Sequence, residues 1–207
     1  MAWEDVTSSQ GNTTKKAIEF FPKGEGTYLG RFLDTEPFSR WTHWITAANE
    51  GKGASVTCLG KDNCPICKLI ASQKAKGQMP TYNSRRMHAM NFLLKGKTPA
   101  DSKIVIYDKG NTPYSLLAGL QEDVGSLVNY DVKIRVVGKD KNQTHMPIPQ
   151  APSELDPIEK ALEKYVLADI YKELTPDQIL TLMTGGSFKD IFNTTTETTD
   201  VHVDFNS

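Results

Sequence analysis

The sequence predicts a β-rich α+β protein, and three observations carry that prediction. Short runs of β-branched and aromatic residues recur at close spacing through the first two-thirds of the chain, with no long helices between them. The cleanest run, Tyr130–Val137, alternates strictly, with Tyr130, Val132, Ile134 and Val136 directed inward and Asp131, Lys133 and Arg135 outward. After Pro147-Ile148-Pro149-Gln150-Ala151-Pro152 the apolar period lengthens to that of helices.

In chain order, residues 1–15 are polar and aperiodic, the composition of a flexible arm. Strands are expected over 28–34 and 40–46. In the second, alternation puts Trp41 and His43 on one face and Thr42 and Trp44 on the other. A short strand over 55–60 carries Cys58. A helix follows from Pro65, with Ile66, Leu69 and Ile70 at helical spacing, Lys68, Lys74 and Lys76 outside, and Gly77 as its stop. Strands over 85–94 and 102–108 come next. In the latter, Ile104 and Ile106 share one face, and Lys103, Val105 and Tyr107 the other. A short helix over 114–127 is expected to break at Gly119 and Gly125.

Asp156-Pro157-Ile158-Glu159 opens a helix with a cap, proline at N1 and glutamate at N3, continued by the stripe Ile158, Leu162, Val166, Ile170. Thr175-Pro176-Asp177-Gln178 repeats the device, and Gly185-Gly186 ends that second helix. The stretch 187–207 is rich in threonine and acidic residues and reads as a disordered tail. The expected organisation is therefore an arm (1–15), a β core (16–150) holding a subdomain at about 41–77, C-terminal helices (151–186) and a tail (187–207). Short strands without alternating long helices favour a barrel over a parallel sheet. A five-stranded oligonucleotide-binding (OB) barrel falls within that class.

The chain is 207 residues long with a net charge of −1, and that balance conceals an asymmetry. Residues 1–150 carry 20 Lys/Arg against 14 Asp/Glu, and residues 151–207 carry 4 against 11. A basic body with an acidic end points to a polyanion binder with an interaction tail. No apolar run approaches the ~18 residues of a membrane span, and the N-terminus has neither the basic start nor the apolar stretch of a signal peptide. An intracellular, reducing location is the expectation, and it disfavours disulfides.

All three cysteines fall in ten residues: Cys58, then Cys64-Pro65-Ile66-Cys67. Three thiols at this spacing, with a histidine, make a closed tetrahedral zinc site. His43, with 14 residues between it and Cys58, is the expected fourth ligand; His88, with 20 residues between it and Cys67, is the alternative. One structural Zn2+ is expected, because three thiolates and an imidazole fill the tetrahedron and leave no open position for catalysis. The zinc-deaminase pattern fails: His43-Trp44-Ile45 lacks its glutamate, and a proline stands inside the cysteine pair. Lys95-Gly96-Lys97-Thr98 lacks the earlier glycine of a phosphate loop, and neither a nucleophile elbow nor a paired-carboxylate motif is present, so no active site is read.

Single-stranded nucleic acid needs cations along its backbone path and aromatic faces for its bases. The candidates are Arg31, Arg40, Trp41, Trp44, Lys68, Arg85, Arg86, Lys95, Lys97, Lys103, Tyr107, Lys133 and Arg135. Trp44 and Tyr107 are expected to be exposed, since their strand neighbours put them opposite the metal or the core.

His43 followed by Cys58 and Cys64-Pro65-Ile66-Cys67-Lys68, after an aromatic-rich strand, resembles the zinc-containing single-stranded-DNA-binding, helix-destabilising proteins of tailed phages of the T-even type. The ligand order, the basic body and the acidic end match over roughly residues 20–175. The gap between Cys58 and Cys64 is shorter than in the best-known member, and only Lys15-Lys16 stand for the family's basic motif for self-association. The resemblance implies an OB barrel with an inserted zinc subdomain and a C-terminal helical pair, in the cytoplasm of an infected bacterial host. It implies coating of single-stranded DNA in replication, recombination and repair. The tail (Glu197, Asp200, Asp204, Phe205) would recruit a polymerase, helicase or primase and compete with DNA for the basic groove. A zinc-stabilised protein-interaction adaptor is the alternative reading.

Overall fold

The computed structural model describes residues 17–139 and 142–193. The expected arm (1–15) and the tail residues Glu197, Asp200, Asp204 and Phe205 lie outside the described residues. The protein is α+β, with a mostly antiparallel, open seven-stranded sheet and a few helices. Its elements are β1 (Gly26–Phe32), β2 (Phe38–Ile45), β3 (Ala54–Thr57), α1 (Pro65–Ala75), β4 (Ser84–Leu94), β5 (Lys103–Gly110), α2 (Asn111–Val124), β6 (Tyr130–Val137), β7 (Thr144–Pro152), α3 (Pro157–Lys160), α4 (Leu167–Ile170), α5 (Pro176–Met183) and α6 (Phe188–Asn193). The strand order is β3-β2-β4-β1-β6-β7, with β5 pairing β4 off that path.

Two compact units share this chain: one holds residues 42–84 and 173–193, the other 17–41 and 85–172. The division differs from the linear one expected. The segment of α5 and α6 belongs with the cysteine segment, whereas α3 and α4 belong with the β body.

In the β body, β1 changes partner along its length. Residues Gly26 to Gly30 pair β6, and Gly30 to Phe32 pair β4. Gly30 stands at the change, where a Cβ would come 2.1 Å from the Leu93 carbonyl oxygen and 2.3 Å from the Phe92 ring, so only glycine permits this approach. Inside lies a core of Phe21, Phe32, Met90, Phe92, Val105, Tyr107, Leu117, Leu127, Val132, Ile134 and Val136. Its rings meet edge to face, as in the Phe32–Phe92 pair at 4.9 Å and the Phe32–Tyr107 pair at 5.4 Å.

The alternation in β6 holds for Val132, Ile134 and Val136 inside and for Lys133 and Arg135 outside. Asp131 departs from it. It is buried against Arg31 Nε (2.9 Å) and Lys95 Nζ (2.7 Å), and Lys95 also lies 3.7 Å from Glu159. Burial alone would raise the Asp131 pKa, but the hydrogen bonds and charges of Lys95 and Arg31 outweigh it and hold the carboxyl below its ordinary range.

Three further differences from the sequence expectation have physical causes. The proline-rich stretch is the strand β7, with Pro147 opposite Ile134 and Pro149 opposite Val132. It ends the strand order, and an edge strand tolerates residues that lack an N–H. Helix α2 runs through Gly119 and stops at Gly125, whose φ is 85°. The helix expected from Asp156 lasts one turn, with its capping box intact, and a second turn forms at α4. Ile158 and Val166, two members of the expected stripe, are exposed. The chain breaks there because Tyr165, Leu167, Ile170 and Tyr171 pack over Ala89 of β4 and Ile106 of β5 instead. β5 is thereby buried on both faces, which defeats a reading based on alternation.

Candidate metal centre

The cysteine unit has its own small core. Ile45, Ala48, Ala54, Val56, Cys64 and Ile66 pack with Leu174, Ile179, Leu182 and Ile191. Helix α5 supplies Ile179 and Leu182 and begins with the expected capping box of Thr175 and Gln178. Helix α6 lies within the stretch read as disordered, and Ile191 is the reason it is ordered: it fills this core.

The metal-binding side chains are placed by backbone devices around that core. The last residues of β2 pair β3, with His43 opposite Val56. β3 ends at Thr57, which puts Cys58 at the start of the following turn. There Gly60 adopts φ 85° and its carbonyl accepts the Cys64 N–H at 3.0 Å. Cys64 is the N-cap residue of α1, with Pro65 at N1 as expected, and Cys67 follows in the first turn. Positions three apart on a helix share a face, so the Cys-x-x-Cys spacing aims both sulfurs one way.

His43, Cys58, Cys64 and Cys67 form a cluster whose four ligand atoms all lie within 4.8 Å of one another. Cys58 Sγ is 3.4 Å from Cys67 Sγ, which is 3.5 Å from His43 Nε2. A tetrahedron with zinc–sulfur bonds of ~2.3 Å separates its donors by about 3.8 Å, so the cluster is able to hold one metal ion and is compatible with a structural zinc. His43 is wholly buried. Its Nδ1 lies 3.2 Å from the Asn83 carbonyl, with Ser84 Oγ at 3.5 Å. An Nδ1–H donated to that carbonyl leaves the Nε2 lone pair for a metal, the usual outer support of a ligating histidine.

Burial and the neighbouring ligand atoms set the protonation of these side chains. Burial lowers the His43 pKa, with the Asn83 carbonyl pulling the other way, so the imidazole is neutral at neutral pH. Burial raises the Cys58 thiol, and burial with the neighbouring sulfurs pushes Cys67 up to about 12. Without a metal these thiols keep their protons; a bound metal displaces them.

His88 is not part of the cluster. Its Nδ1 meets Ser39 Oγ at 2.8 Å, its Nε2 meets Asn111 Oδ1 at 2.9 Å, and Tyr114 stacks on its ring at 4.0 Å. Both nitrogens are satisfied by the β body, which corrects the alternative ligand assignment. Replacing His43 by alanine is expected to leave a three-sulfur site that holds zinc far more weakly, whereas His88→Ala should keep the metal; zinc content after dialysis against a weak chelator separates the two.

The expected nucleic-acid residues divide into an exposed and a buried set. Trp41 and Trp44 are 53% and 54% exposed. Lys68, Arg85, Arg86, Lys97, Lys133 and Arg135 are exposed as well. Lys103 is exposed and ion-paired with Glu19. Tyr107, expected on the surface, is 2% exposed, because β5 is covered on both sides. Arg31 is 3% exposed and belongs to the Asp131 cluster, and Lys95 is tied into the same cluster. Arg40 holds Asp108 (2.6 Å) and lies 3.5 Å over the Tyr171 ring. These four groups serve the interior. Trp41 and His43, expected on one face, differ in burial, the first exposed and the second wholly buried.

Sequence reasoning missed Asn83, which orients His43 through its backbone carbonyl and so leaves no side-chain signal. Among the described residues, no helix is long and apolar enough to cross a membrane. The fold and site define an α+β protein with a His/Cys3 centre. Comparison with protein-family models, with curated proteins and with solved structures gave no match.

Proposed function

We propose that this protein binds single-stranded DNA without sequence preference, through an OB-type barrel that carries a structural zinc subdomain. The observation that bears most weight is connectivity. β1, β4, β5, β6 and β7 follow one another as a five-stranded set, with β1 bent at Gly30 to pair both β4 and β6, and with α2 between β5 and β6. Such a partly open antiparallel set is what an OB barrel requires. The cysteine segment enters between β1 and β4 in sequence, as a zinc-pinned insertion.

Exposed cations support the same reading. Lys133 and Arg135 lie on the outer face of β6, opposite Leu29 and Thr27 of β1 and Ile148 and Met146 of β7, a row of cations among aliphatic surface. In this reading the chain acts in phage replication, recombination and repair, and its acidic end recruits replication enzymes. Self-association along the strand belongs to the same proposal.

Titration of labelled oligo-dT at several salt concentrations tests it. Binding is expected to weaken with salt at a slope near −0.7 per neutralised phosphate. The triple variant Lys97→Ala, Lys133→Ala, Arg135→Ala is expected to flatten that slope by about 2. Salt-insensitive binding, a preference for duplex, or an unchanged triple variant would sink the proposal and favour a protein-interaction adaptor.

A further inference from the structure

We propose that Trp44 is a base-stacking platform of the zinc unit, and that Gly53 and Asn49 are the residues that position it. The inference rests on the single-strand reading above and adds where a base sits and what holds the ring in place.

Trp44 lies on β2 opposite Ser55 of β3, between His43 and Ile45, both wholly buried. The strand is therefore fixed, yet the indole itself stays more than half exposed. The ring rests on Gly53: a Cβ there would come 2.3 Å from Cζ2 and 2.7 Å from Cε2, and the glycine φ is +79°. No residue with a side chain fits beneath the ring without displacing it.

The turn beneath is held at every step. The Gly53 N–H donates to the Ala48 carbonyl (2.9 Å), Gly51 N–H to Ala47 (3.2 Å), and Asn49 Nδ2 to the Gly53 carbonyl (3.3 Å). Asn49, itself at φ 53°, is fastened in turn to the segment before α6. Its N–H donates to the Gly186 carbonyl (3.0 Å), and its Oδ1 accepts the Phe188 N–H (3.1 Å).

Packing does not account for this arrangement. A surface strand position needs no indole, and a core indole would be covered. A ring seated on backbone and left open to solvent is what stacking requires, because its rotameric freedom is already restricted before a base arrives. The charges of the turn, Glu50 and Lys52, oppose each other. The site therefore supplies ring contact rather than field, and its ligand is an unpaired base.

That distinction makes the test. With oligo-dT of about 16 nucleotides read by anisotropy, Trp44→Ala is expected to weaken binding about five- to 150-fold at every salt concentration, with the slope unchanged. Trp44→Phe should retain most of the affinity. Gly53→Ala should weaken binding as well and shift Trp44 emission, and in the Trp44→Ala background it should have no further effect. Zinc content and melting temperature, measured on each variant, separate loss of the platform from loss of the fold. Full affinity in a folded Trp44→Ala variant, or additive losses in the double variant, would overturn the platform while leaving single-strand binding intact. Absence of oligo-dT binding by the wild-type chain would overturn both.

Discussion

Removal of zinc with a strong chelator is expected to unfold the cysteine unit and to produce the largest stability loss of any single treatment. One zinc per chain should be found before treatment. Metal binding to such sites contributes about 10–16 kcal/mol in small zinc domains at neutral pH. The loss should fall on residues 42–84 and 173–193, because Cys64 and Ile66 share one core with Ile179, Leu182 and Ile191. Hydrogen exchange reads it: protection should vanish from α1 and α5 while the β1–β6 and β6–β7 ladders keep theirs. An unchanged exchange pattern after complete removal of the metal would refute a structural role.

The zinc-loaded chain should lose stability toward acid, because its thiolates are deprotonated and protons compete with the metal for them. Zinc release on lowering the pH below neutral, followed together with the melting temperature, checks it.

The second large effect belongs to Asp131. Replacing it by alanine leaves Arg31 and Lys95 without their shared carboxylate, Arg31 with 4% of its side chain exposed and Lys95 with 19%. Breaking a buried pair from one side costs ~3–5 kcal/mol, because the remaining charge stays buried. A melting-temperature drop of about 6–20 °C should follow. Lys103→Ala, which breaks the exposed pair with Glu19, should cost no more than ~1 kcal/mol.

The sign with pH follows from the direction of the Asp131 shift. Its carboxyl is held below its ordinary value of 3.8, so the cluster's contribution is present above that pH and is lost as pH falls through the folded value. Asp131→Asn should remove that component of acid sensitivity. A wild-type acid profile in the Asn variant would assign it elsewhere. His145 also acts at low pH: it is buried with neither ring nitrogen hydrogen-bonded, and burial and then Lys109 hold it down to about 4.

Much of the local structure was legible in the residues. The cysteine spacing, Pro65 at a helix start, the capping box at Thr175 and the alternation in β6 depend on contacts within a few positions, and these are what spacing encodes. The metal cluster was legible for the same reason, apart from the choice between His43 and His88. That choice needed tertiary structure, because it turns on which strand histidine already has both nitrogens satisfied.

Where the reading went astray, one element had a partner distant in sequence. Tyr107 looked exposed because alternation assumes one covered face, and β5 is covered on both, by the core of the β body and by the segment around Leu167. The stripe from Ile158 to Ile170 looked helical until Tyr165 and Tyr171 found ring and strand partners instead. The prolines of β7 marked only a change of period, because a single chain does not reveal which strand lies at an edge. The sequence alone determined the three cysteines of the candidate centre, the strand-rich class and the exposed cations of β6. Tertiary packing decided which cations are spent inside, as Arg31, Arg40 and Lys95 are on Asp131 and Asp108. It also seated the Trp44 ring, expected on the surface, over Gly53. The reason is physical: spacing fixes what neighbours do to each other, and burial depends on which distant segment arrives to cover a face.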